Sequence, residues 1–197
     1  MHRVVAHPAV YDALQGLAGT AELDRGVGAT LGALPARPVI LDVGGGTGLP
    51  ASLWPAGATY VCLDIDPLKL AGFRRKHRPG IPLCGDATGL PIRSHCLDLV
   101  VCKNVSHHLD DDDVPLLFSE SARVLKAGGR LVFLDAVRAP ERWRSRVLWR
   151  YDRGSHPRAV ETLRQAMASE FLITHWEVLT IHHRYVLGAG TPKGGAV

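Results

Sequence analysis

Short apolar runs that stop at a glycine or an acid recur along the chain, and the segments between them carry apolar residues three and four positions apart. Val39-Ile40-Leu41 reads as a buried parallel strand that ends at Asp42 and the glycines Gly44, Gly45, Gly46 and Gly48. Pro50 falls where a helix can begin, because that position needs no amide donor. A second strand is expected over 59–66, followed by a basic helix at 67–77 with a solvated face. Pro82-Leu83-Cys84 predicts a third strand running into Gly85-Asp86-Ala87, and 96–102 a fourth, closed by Lys103-Asn104-Val105-Ser106-His107-His108-Leu109. After the acidic run 110–113, the spacing of Val114, Leu117, Phe118, Ser121, Ala122 and Leu125 predicts a helix. Gly128-Gly129 would stop it, and 130–135 is the fifth strand.

Strand and helix alternate at close spacing from Val39 onward, which implies right-handed crossovers and a parallel sheet covered on both faces. The tail differs. Residues 171–181 and 184–189 are two β-rich runs joined tightly through His182-His183, so an antiparallel hairpin at the sheet edge is expected. The reading is therefore an α/β fold, a doubly wound and mostly parallel seven-stranded sheet. A single domain is expected over 1–197, with an N-terminal helical or lid segment (1–38), a core (39–137) and a last part of helices and hairpin (138–190). Within the first segment, 10–17 suggests a short amphipathic helix and 26–34 a Gly/Ala-rich stretch leading to Pro35 and Pro38.

With 46% hydrophobic and 21% charged residues, 197 residues suit one well-buried globular domain. No apolar run approaches a membrane span and the N-terminus lacks a signal-peptide core, so a cytoplasmic location is the expectation. The four cysteines, Cys62, Cys84, Cys96 and Cys102, form no C-x-x-C pair and read as reduced core thiols. The net charge of +4 is concentrated. Eight arginines face only three acids over 138–164. Such a stretch is either a solvated helix or a face for an anionic partner.

In open α/β sheets a ligand sits beyond the carboxyl ends of the strands, so the residues just after each strand carry the information. Here they are Asp42 with its glycines, then Asp64 and Asp66, then Asp86, then Asn104 to His108. A carboxylate after the second strand can accept from ribose hydroxyls, and Asp64 is preferred over Asp66, which reads as a helix cap. The absence of Lys-Ser/Thr after Gly48 argues against a triphosphate loop. Adjacent histidines on a tight turn rarely address one ion, so no metal site is expected.

Four motifs in order, L-D-V-G-G-G-T-G, C-L-D-I-D, G-D-A-T-G-L-P and D-L-V-V-C-K-N-V-S-H-H-L with R-V-L-K-A-G-G-R-L-V-F, resemble the class I S-adenosylmethionine-dependent methyltransferases over about residues 39–137. The pattern is most similar to the small-molecule, quinone and lipid branch, with the Rossmann-like fold of that family. The resemblance implies S-adenosyl-L-methionine as cofactor. It places Gly44 and Gly46, with Gly45 and Gly48 in the same loop, against the methionine part and orients Asp42 toward its amino group. Asp64 would hold the ribose hydroxyls, Ile65 would pack on adenine, Asp86 would accept from the adenine amine, and the Ala87 amide would donate to the ring. Lys103 and Asn104 would close the methionine end through their backbone. Gly45 stands where many relatives have cysteine or serine, a change the loop is expected to tolerate.

The reaction so implied is displacement at a sulfonium methyl, in which the protein mainly aligns the partners. His107 and His108 are the candidate bases for the acceptor's proton, His107 first. The distance from the fifth strand to the hairpin leaves little room for an acceptor subdomain. Acceptor and lid candidates are Tyr11 beside Asp12, and Arg142 and Trp143 in the arginine- and aromatic-rich stretch 141–151. That stretch suits an amphiphilic acceptor or a peripheral membrane contact, with packing onto the sheet as the simpler role. Nucleic acid is not expected as a partner. Two other functions fit the loop: a nicotinamide-dependent oxidoreductase, since 46–51 also reads G-x-G-x-x-A, and a catalytically silent cofactor-binding protein.

Overall fold

The structure is a computed structural model that describes residues 20–77, 79–138, 156–181 and 184–194. Helix α1 (Thr20–Thr30) precedes β1 (Val39–Val43), β2 (Thr59–Asp64), α2 (Pro67–Lys76), β3 (Ile81–Cys84) and β4 (Leu97–Lys103). Then follow α3 (Asp113–Val124), β5 (Leu125–Val137), α4 (Val160–Glu170), β6 (Phe171–Thr180) and β7 (Arg184–Pro192). The seven strands form one sheet in the order β3-β2-β1-β4-β5-β7-β6. The first five are parallel, while β7 runs antiparallel between β5 and β6. The doubly wound sheet and its edge hairpin are as the pattern predicts.

Both faces of the sheet are buried. One core joins Leu41, Val100 and Phe133 to Leu117 and Phe118 of α3 and to Leu163 and Met167 of α4. The other joins Ile40, Leu99 and Val132 to Leu23 and Val27 of α1 and to Leu70 and Phe73 of α2. Such near-continuous apolar strands are what a parallel sheet covered on both sides requires. Asp66 caps α2 by accepting from the Leu68 amide at 2.9 Å, with Pro67 at the first helical position.

Several boundaries differ from the expected ones. No helix starts at Pro50. A three-residue 3-10 turn, Ala51–Leu53, is followed by extended Trp54, because Pro55 disfavours helix in the residue before it and cannot donate to a continuing helix. Helix α3 ends at Val124, not at the glycines. Leu125 is already extended and pairs with Leu97, and Gly128-Gly129 lie in the register shift before Arg130 pairs with Leu99. The first part of the stretch read as Gly/Ala-rich, 26–30, belongs to helix α1, whose Leu23 and Val27 are buried together with Leu31 just beyond it. Only Cys62 and Cys102 are buried thiols, whereas Cys84 is exposed at the end of β3 and Cys96 half-buried.

The expected helices at 10–17 and 141–151, and His182-His183, lie outside the described residues. No helix among the described residues is long and apolar enough to cross a membrane. Phe133 is fully buried and packs its ring 5.1 Å from that of Phe118, joining sheet to α3. Phe133→Ala should therefore cost about 3–5 kcal/mol, read as a lower denaturant midpoint at unchanged slope.

Candidate active site

The carboxyl ends of β1, β2 and β4 bring most of the sequence-derived residues to one edge of the sheet. The segment after β1 turns back at once. Gly44 has φ +63°, and a Cβ there would stand 2.4 Å from Val105 Cγ2, so the loop is pressed against the turn that follows β4. Gly45 N donates to Leu63 O at 3.1 Å and Gly48 N to Gly45 O at 2.8 Å, while Gly46 N donates to Asp64 Oδ2 at 2.9 Å. The glycine loop is thus tied to the end of β2. A Cβ at Gly45 would meet Asp42 Oδ2 at 2.5 Å and Cys62 Sγ at 2.8 Å. Asp42 thus lies directly beneath the loop, and Gly45 leaves it room.

Asp42 is only 1% exposed. Its Oδ2 accepts from the Tyr60 hydroxyl at 2.5 Å, and that hydroxyl accepts from Leu49 N at 2.8 Å. Oδ1 is buried without a hydrogen-bond partner. Burial pushes the carboxyl up to about 6, against the opposing pull of the Tyr60 hydrogen bond and the Lys103 charge. A second such acceptor is Asn104 Oδ1, on a residue held at φ +57° just after β4. Asn104 N donates to Leu134 O at 2.8 Å, and Lys103 Nζ pairs with Asp24 of α1 at 2.5 Å.

Asp64, 4% exposed, accepts from Gly46 N and, through Oδ1, from Asp66 N at 2.8 Å, with Lys69 Nζ 3.9 Å away. Beside it Ile65 is 71% exposed, an apolar side chain on the rim of the site. Asp86 is exposed after β3, where Oδ1 accepts from the amide and hydroxyl of Thr88, and Ala87 is buried.

The turn Ser106–His108 is a 3-10 turn whose shape is imposed from below. Asp135, at 0% exposure in β5, accepts through Oδ2 from Ser106 N and Ser106 Oγ, both at 2.6 Å, and from His107 N at 3.3 Å. Its Oδ1 pairs with His107 Nδ1 and accepts from Ala136 N at 2.7 Å. Burial alone would raise this carboxyl, but the His107 ring and the hydrogen bonds from His107, Ser106 and Ala136 outweigh it and hold it below its ordinary value. His107 is 4% exposed and stands 4.1 Å, centroid to centroid, from the exposed His108 ring. From the other side Arg158 donates to Ser106 O at 2.7 Å and Leu109 O at 2.9 Å.

The structure thus gathers Asp42, the glycine loop, Asp64, Ile65, Lys103, Asn104 and His107 at one edge, with Asp86 and Ala87 beyond β3. Tyr11, Arg142 and Trp143 lie outside the described residues. Sequence reasoning missed Tyr60, Asp135 and Arg158. Asp135 closes an apolar strand as Asp42 and Asp64 do, and that signal was available. Nothing local marks Tyr60 or Arg158.

The family described as a methyltransferase domain matches residues 41–133. The chain is 39% identical over 128 residues to the biotin biosynthesis bifunctional protein BioHC of Cellvibrio japonicus, covering 62% of this chain and 24% of that protein. It is 37% identical over 131 residues to the malonyl-[acyl-carrier protein] O-methyltransferase of Methylococcus capsulatus, covering 60% and 46%. The chain spans less than half the length of either relative. Its fold matches that of the putative methyltransferase solved in complex with the Haloferax volcanii Trm112 methyltransferase activator, with TM-score 0.78, 18% identity and 96% of each chain covered.

Residues 41–133 thus match a methyltransferase domain and lie on the fold shared by the class I S-adenosylmethionine-dependent methyltransferases.

The cofactor of that class, S-adenosylmethionine, fits the residues present. Two buried acceptors without partners, Asp42 Oδ1 and Asn104 Oδ1, suit an ammonium donor. The exposed Ile65 suits the face of a purine.

Asp42 binds its proton more tightly in the folded than in the unfolded chain, so its contribution to stability falls as pH rises from about 4 to 6. The ionised form is the one that attracts an ammonium. Affinity for S-adenosylhomocysteine, measured by calorimetry, should therefore rise between about pH 5 and 7.5 and lose this dependence in Asp42→Asn. That variant should bind more weakly at neutral pH yet be more stable there, by up to about 2–3 kcal/mol.

Proposed function

We propose that this chain transfers a methyl group from S-adenosylmethionine to a small or lipid-like acceptor, with His107 as general base. The observation that carries the reading is the packing of the His107 turn on the glycine loop, through Val105 against Gly44. Val105 stands two residues before His107, so the turn that carries the imidazole adjoins the loop that would hold the methionine half. Asp64 would accept from the ribose hydroxyls, Ile65 would cover the adenine, Asp86 would accept from its amine, and the Ala87 amide would donate to the ring. Asp42, Gly44, Gly45, Gly46 and Gly48, with Lys103 and Asn104, would enclose the amino-acid end. The cofactor supplies an electrophilic methyl, which bonds to the acceptor atom as the sulfonium bond breaks to leave a thioether. The protein's part is to align the attacking atom and take its proton on His107.

The curated relative named a malonyl-[acyl-carrier protein] O-methyltransferase supports a second reading, in which the acceptor is a carboxylate. A carboxylate has no proton to lose, so His107 would then only shape the site. A hydroxyl or carbon acid needs the base. The amphiphilic acceptor and the membrane-surface role of the stretch holding Arg142 and Trp143, with Tyr11 as lid, belong to this proposal as well. So does a cytoplasmic location.

Calorimetry with S-adenosylhomocysteine and NADH tests the cofactor class. Tight NADH binding without a response to S-adenosylhomocysteine would favour the oxidoreductase. Asp64→Ala should weaken S-adenosylhomocysteine binding by about 10–100-fold, the loss expected for hydrogen bonds to a charged group. With an acceptor found as a one-methylene mass gain in a metabolite extract, His107→Ala should lower turnover at least about 100-fold. Its affinity for S-adenosylhomocysteine should change less than about threefold. Unchanged turnover would transfer the reading to a carboxylate acceptor.

A further inference from the structure

We propose that Asp135 is the positioning residue of this site, fixing the His107 ring with the proton on Nδ1 so that Nε2 is the nitrogen that accepts the acceptor's proton. The inference rests on the methyl-transfer reading above. Asp135 has no exposed surface, and every group that reaches it is a donor: the amides of Ser106, His107 and Ala136, the Ser106 hydroxyl and His107 Nδ1. An ionised carboxylate only accepts, so its pairing with Nδ1 requires the hydrogen there. The imidazole has two nitrogens, and the exchangeable lone pair of the neutral ring is then on Nε2.

The ring contact is more than the turn needs. Oδ2 alone takes the Ser106 and His107 amides, and Arg158 holds the Ser106 and Leu109 carbonyls from the opposite side. His156 N further donates to His107 O at 3.1 Å. Backbone bonds thus shape the turn, and what Oδ1 adds at Nδ1 is the orientation and tautomer of one side chain. Stabilising the imidazolium that forms when the acceptor's proton arrives is the catalytic consequence.

The test uses the full chain labelled with 15N-histidine and saturated with S-adenosylhomocysteine. Long-range 1H–15N spectra at about pH 8 are assigned by the loss of one ring system in His107→Gln. The expected result in the wild type is a neutral His107 ring with the proton on Nδ1 and none on Nε2. In Asp135→Asn the ring should lose that single tautomer. Turnover should fall about 100-fold, the acid limb of its pH profile should move to lower pH, and S-adenosylhomocysteine affinity should change less than about threefold. A wild-type ring carrying its proton on Nε2 would overturn the inference, whether or not the variant folds. So would an Asp135→Asn protein with a lowered melting temperature but the wild-type turnover and pH profile, which is the signature of a purely structural clamp. Failure of the wild type to bind S-adenosylhomocysteine would overturn the methyl-transfer reading and this inference with it, whereas binding combined with an Nε2–H ring overturns this inference alone.

Discussion

A carboxylate without any exposed surface is tolerated in a protein core only when its lone pairs are occupied, and Asp135 imposes that condition on everything around it. Five donors meet it, and four of them come from two consecutive residues, Ser106 and His107. The chain can present two amides, a hydroxyl and a ring nitrogen to one carboxylate only by turning tightly as it leaves β4, which is why a 3-10 turn stands there. Arg158 meets the complementary demand by donating to the carbonyls that the turn leaves pointing the other way. One wall of the site is therefore held by satisfying a buried charge.

The facing wall follows the opposite rule. Asp42 is as deeply buried but has one hydroxyl on one oxygen and nothing on the other. The consequence is a pair of buried carboxyls displaced in opposite directions, Asp42 upward to about 6 and Asp135 downward. Divergent environments for two acids in one site are the mark of divided roles. Asp135 has its partners within the fold. Asp42 lacks one on Oδ1, so its burial beneath the glycines leaves a desolvation that folding does not compensate.

Much of this was legible in the sequence because strand ends are chemically marked. Val39–Asp42, 59–64 and 96–103 are apolar runs that stop at polar residues, and the residues after them are those the structure brings together. What escaped was non-local. Asp135 ends a strand like the others, but its meaning lies in His107, 28 residues away in sequence, and Arg158 is a further 23 residues on. Helix α1 was hidden by Gly26 and Gly28, which lower helix propensity yet admit close packing: a Cβ at Gly28 would come within 3.0 Å of Leu53. The constraint on Gly45 is non-local as well: it is the Asp42 carboxylate beneath it, a side-chain placement that Tyr60 sets across the sheet. Propensity describes a residue alone, whereas each of these features depends on a neighbour that only the fold supplies.

The same non-local logic bears on the arginine-rich stretch. Arg138 N donates to Arg158 O at 2.8 Å, so the chain leaves β5 and returns to α4 at one point, beside the His107 turn. One of the eight arginines over 138–164, Arg158, is buried in clamping that turn and offers no charge to a partner. Arg158 thus belongs to the framework of the turn and not to the basic face that the sequence suggests, a division that only its carbonyl partners reveal.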